Sequence, residues 1–166
     1  MKFRLAVLFG ILWAIFLLSI VSHTTASEDV AGWDKAKWGM SIEEIKSIYN
    51  VRTIRNPIVP PDIEMDYKIG RYNYIINFDF LEKQLYKISI RGGTLSDKLP
   101  TTTVDQFRDM EKVLIDKYGK AKEQTQSGET TLKWEFPSTI IIMEGTPGKP
   151  IRIWYKWKLW GKQKKW

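Results

Sequence analysis

The chain has 166 residues, with 26 lysines and arginines against 19 acids, no cysteine, and a single histidine at position 23. It therefore builds no disulfide. A chain cleaved beyond His23 has neither histidine nor cysteine, which excludes Cys/His and Ser/His/Asp nucleophilic machinery and the usual zinc sites.

Lys2 and Arg4, an apolar run from Leu5 to Val21, and small residues at Thr24 and Ala26 have the layout of a secretory signal peptide. Cleavage after Ala26 is expected. The apolar run sits at the short end of the roughly 17 to 25 residues that span a bilayer, so an uncleaved anchor is the alternative. Either reading exports the rest, because the positive end stays inside. The periplasm is the expected location. The expected organisation is a signal peptide over 1–26, a single domain over 27–158 and a basic tail over 159–166. That tail distorts the charge balance, since from Gly145 onward there are seven basic residues and no acid.

Trp33 and Trp38 precede the first helix, as a lid over the core or as an aromatic platform. Ser41 and Glu44 form a capping box, Met40 can staple onto Ile45, and Ile42, Ile45, Ile48 and Tyr49 share a face, predicting a helix over 41–49. Asn56 to Pro61 reads as an extended connection. Asp62, Glu64 and Asp66 alternate. If that stretch is extended they point one way, as a solvated edge, as weak calcium ligands without the usual loop glycine, or as a carboxylate pair for hydrolysis.

From Tyr72 the period becomes two. Tyr72, Tyr74, Ile76, Phe78 and Phe80 face one side, and Tyr86, Ile88 and Ile90 continue after a turn at Glu82-Lys83-Gln84, which predicts an antiparallel hairpin ending at Gly92-Gly93. Thr103 with Gln106 offers a second capping box. Val104, Phe107, Met110, Leu114 and Tyr118 form an apolar face and Gly119 a C-terminal cap, predicting a helix over 103–118. Strands are expected over 130–136, 139–144 and 150–157. The fold expected from this order is α+β, with two helices on one face of an antiparallel sheet of five to six strands and a weak duplicated unit of one helix plus a meander.

The motifs Lys37-Trp38-Gly39-Met40-Ser41 with Ile45, and Leu114-x-x-Lys117-Tyr118-Gly119-Lys120, resemble helix starts and stops in small exported bacterial α+β proteins. More loosely, the chain resembles the SmpA/BamE outer-membrane assembly lipoproteins and the β-lactamase-inhibitor fold, over most of residues 33 to 157. The resemblance implies a protein-binding role in the envelope. Two features depart from it: the lipid-acceptor cysteine is absent, and Lys120 stands where proline is frequent.

In the last strand Ile151, Ile153, Tyr155, Trp157 and Leu159 form a core face, while Arg152, Trp154, Lys156, Lys158 and Trp160 form a basic aromatic surface that continues into Lys162, Lys164, Lys165 and Trp166. Such a surface suits anionic lipid, with tryptophan at the headgroups, or an acidic envelope protein. The plainer reading is lysines that blunt an edge strand and solubilise a chain end. Nucleic acid would accept stacking aromatics, but an exported chain rarely meets it and no binding motif is present. The expectation is an exported non-enzymatic binding module of the cell envelope, with no cofactor, no metal and no catalytic residue, whose contact surface is this C-terminal set. The alternatives are a carboxylate-dependent hydrolase of the envelope and an inhibitor of a secreted enzyme.

Overall fold

The structure is a computed structural model that describes residues 28–54, 63–92, 104–126, 128–146 and 149–158. The signal segment, the Asn56 to Pro61 connection, Asp62, Gly93, Thr103, Pro147-Gly148 and the tail from Leu159 lie outside the described residues.

Among the described residues, ten strands and two helices follow in the order β1 (Gly32–Trp33), β2 (Ala36–Lys37), α1 (Ile42–Ile48), β3 (Arg52–Thr53), β4 (Ile63–Ile69), β5 (Tyr72–Leu81), β6 (Gln84–Gly92), α2 (Val104–Tyr118), β7 (Lys122–Gln126), β8 (Glu129–Glu135), β9 (Thr139–Gly145) and β10 (Arg152–Trp157). β1 and β2 form a small hairpin. The other eight make one antiparallel sheet in the order β3-β4-β5-β6-β10-β9-β8-β7. The expected α+β architecture on five to six strands is therefore wrong. The described chain is mostly β, and the sheet is wider by the strands that sequence reasoning passed over.

Those strands were missed for identifiable reasons. β4 alternates Ile63, Met65, Tyr67 and Ile69 toward the core, but the interleaved acids made it resemble a solvated edge. β7 is Lys-Glu-Gln-Thr-Gln and exposed throughout, so it carries no apolar period to detect. β3 has two residues. Their pairing comes from the neighbouring strand rather than from their own composition.

Each helix is followed by a four-stranded meander, and the two meanders join through their last strands, β6 against β10. In β5 and β6 the turn is made by Glu82 and Lys83, both left-handed at φ 52° and 66°. That is the twist a two-residue hairpin loop requires.

All described contacts of the helices fall on one face of the sheet. Ile76, Phe78, Ile88, Ile90, Ile141, Met143, Ile153 and Tyr155 from the central strands point into this core, together with Ile45 from α1 and Met110 and Leu114 from α2. Burying each such side chain is worth about 1.5–3 kcal/mol. α1 is closed by the predicted box: Ser41 Oγ accepts from the Glu44 amide at 3.2 Å and Glu44 accepts from the Ser41 amide at 2.7 Å. α2 ends at Gly119, φ 79°, whose amide donates to the Ile115 carbonyl, while the Trp134 indole donates to the Gly119 carbonyl at 2.7 Å. Gln106 is buried and hydrogen-bonded to Tyr74.

The N-terminal hairpin is core material. Trp33 is buried, edge-on to Tyr67 at 5.1 Å and stacked on Tyr49, and the Trp38 indole donates to Thr139 at 2.7 Å. Asp29 accepts from the Ser138 amide, and the Ser138 hydroxyl donates to the Val30 carbonyl. This lashes the first described residues to the β8–β9 turn. Among the described residues no helix is long and apolar enough to cross a membrane.

Candidate functional site

The side of the sheet away from the helices is its open face, exposed at Arg91, Arg152 and Lys156, although Ile75 and Glu64 on the same side are buried. A strand alternates its side chains, so the register fixes what this face carries. Arg152, Trp154 and Lys156 of β10 lie on it. They are not at an edge. β10 sits between β6 and β9, in the middle of the sheet, which overturns the reading of these residues as an edge strand blunted by lysines.

Across the β6–β10 ladder Arg152 stands opposite Arg91, Trp154 opposite Ser89, and Lys156 opposite Lys87. Two pairs of like charge thus bracket one tryptophan. Like charges directly opposite each other oppose strand pairing, and neither central strand contains an acid. The Arg152 guanidinium lies 5.6 Å and the Lys156 ammonium 5.8 Å from the centre of the Trp154 ring. Cations at these distances are held by the ring's negative face. On the β9 side Trp154 meets Ile142, and Ile140 follows along the same strand, both half-buried.

Acids flank this stripe. Asp79 on β5 is ion-paired with Lys87. Glu129 on β8 stands 3.8 Å from Arg152, a loose contact between exposed groups. Glu144 on β9 is opposite Arg152. Among the described residues Arg91 and Lys156 make no ion pair, so of the two cations over Trp154 the Lys156 ammonium has no acid partner there.

Lys158, expected in the same surface, does something else. Its ammonium reaches Glu135 and the Phe136 carbonyl, each at 3.1 Å, which pins the end of β10 to the β8–β9 turn. Hydrogen bonds from Lys158 and then Lys133 hold the Glu135 carboxyl below the usual range. Trp160, Lys162, Lys164, Lys165 and Trp166 lie outside the described residues. Arg91 and Lys87 were missed as site residues, although the lack of any acid in Gln84–Gly92 was a readable signal.

Of the alternating acids, Glu64 and Asp66 share one face of the extended β4, and among the described residues they belong to no metal-holding cluster. Asp62 lies outside the described residues, and Glu64 is buried and bound by the Arg52 guanidinium, with Nε at 2.7 Å. Among the described residues no group of three histidines, cysteines or acids is placed to hold a metal ion.

No family model, no curated protein and no solved structure matches the chain.

Proposed function

We propose that the protein is an exported, non-enzymatic binding module of the cell envelope that takes an acidic partner protein on the open face of its sheet. The observation that carries this reading is the β6–β10 ladder. There Arg91 faces Arg152 and Lys87 faces Lys156 around a half-buried tryptophan. Sheet stability does not favour such pairs; Arg91 and Lys156 make no ion pair among the described residues, and a carboxylate-bearing surface would neutralise these two while covering Trp154. Aromatic and arginine side chains at the centre of a patch are the residues that carry most interface energy. The acids flanking the stripe favour a protein over a lipid surface, because they would face anionic headgroups unfavourably but can match basic groups on a folded partner. Export rests on the N-terminal signal layout.

Titrating the purified chain with a polyglutamate peptide, and separately with anionic and neutral vesicles, at low and high salt tests this. Peptide binding that fades with salt, disappears in Arg91→Glu/Lys156→Glu and survives exchange of Trp160, Lys162, Lys164, Lys165 and Trp166 for serine or glutamine is expected. Absence of peptide binding would overturn the reading. Binding only to anionic vesicles, lost on changing the tail, would move the contact to the membrane.

A further inference from the structure

On the helix side of the sheet, packing is incomplete. Between α2, the β1–β2 hairpin and the sheet lies a cavity of about 160 Å³ whose inner wall includes Trp33, Tyr67, Ile90, Met110, Leu114 and Tyr155. Protein interiors are otherwise packed like organic crystals. An engineered apolar cavity of about 150 Å³ stays dry and takes up benzene, so this one has room for a single ring or a short branched chain.

Its rim is polar in a specific way. Asp34, in the β1–β2 turn, and Lys117, in the last turn of α2, both line the opening, and both are exposed. They make no ion pair with each other. One Asp34 oxygen accepts from the Tyr49 hydroxyl at 2.9 Å, and the Lys117 ammonium lies 5.2 Å from the Tyr118 ring. A carboxylate oxygen and an ammonium therefore remain available across one apolar opening. A purely anionic guest would meet Asp34, and a purely cationic one Lys117.

We propose that this cavity binds a free α-amino acid with an apolar side chain. Its ammonium goes to Asp34, its carboxylate to Lys117, and its side chain goes in among Trp33, Tyr67 and Met110. Both rim charges are then satisfied by charge-assisted hydrogen bonds. The site is on the opposite side of the sheet from the Trp154 surface and does not depend on it.

The test is calorimetric titration of the purified chain with L-phenylalanine and L-leucine, beside phenylacetate, phenethylamine and L-serine. Phenylalanine or leucine should bind at millimolar concentration or better and raise the thermal midpoint. Each headgroup-deficient analogue, and serine, should bind at least about tenfold more weakly. Asp34→Asn and Lys117→Gln should each weaken phenylalanine about tenfold. Asparagine tolerates the left-handed backbone of residue 34, φ 51°, and still accepts from Tyr49, so the fold is retained. No binding of either amino acid would overturn the proposal, as would binding indifferent to the headgroup or to both variants.

Discussion

The two faces of the sheet, built from alternate residues of the same strands, obey opposite rules. In β10, Ile153 and Tyr155 are fully enclosed and belong to a continuous core, whereas Arg152, Trp154 and Lys156 between them stand on the open face, two of them against like charges. The core face is organised for stability. The open face holds charges that cost stability, and such costs collect where a surface does something besides hold the fold together. One strand, read residue by residue, carries an apolar core face and a charged outer face.

The largest break in that comparison comes from neighbours in β9. Ile141→Ala, in the core, should cost about 2–5 kcal/mol, whereas Ile142→Ala, on the open face, should cost under ~1 kcal/mol; urea unfolding of the two variants measures the gap. Next is Gly145→Ala. A Cβ there would run into the Phe107 ring of α2, so a loss of about 1–3 kcal/mol is expected from overpacking. Equal stability to wild type would mean that α2 does not sit against the end of β9.

pH acts on the core face from the alkaline side. Burial, assisted by Asp34, pushes the Tyr49 hydroxyl up to about 12, and burial pushes Tyr74 up to about 12. The folded state thus keeps protons that an unfolded tyrosine loses near pH 10. Their contribution is complete below pH 10 and is lost as pH rises toward 12. The denaturation midpoint should fall across that window, and Tyr74→Phe should flatten the fall. At the first helix, Ser41→Ala should lose about 1 kcal/mol with its cap.

The smallest effect sharpens the contrast most, because its sign is reversed. Arg91→Gln removes a like-charge pair and should leave stability unchanged or raise it by ~0.2–1 kcal/mol, while weakening polyglutamate binding. A loss of stability would show that Arg91 supports the fold rather than a partner.

What could be read in the sequence was local. The Ser41–Glu44 box, the Gly119 cap and the hairpin around Glu82-Lys83 involve residues within a few positions of one another, and their chemistry prescribes one geometry. The period of two in Ile151, Ile153 and Tyr155 likewise assigned the right face to the core. What failed was non-local. Nothing near Arg152 says that its neighbour will be Arg91, so a central strand looked like an edge and a basic stripe looked like part of a tail. β7 joins the sheet because β8 offers it a ladder, and its own exposed residues carry no record of that. The part of the candidate site on β10 was therefore legible, while its completion by β6 was not.

The junction of the two meanders also sets an order of events. β6 and β10 are more than sixty residues apart in sequence, yet theirs is the pairing that makes one sheet of two. Loop closure over such a distance is slow, and until it happens each meander presents an unpaired inner edge. Closure of the described sheet therefore depends on its most distant strand pairing. Until that pairing forms, the inner edges of both meanders are open to mispairing.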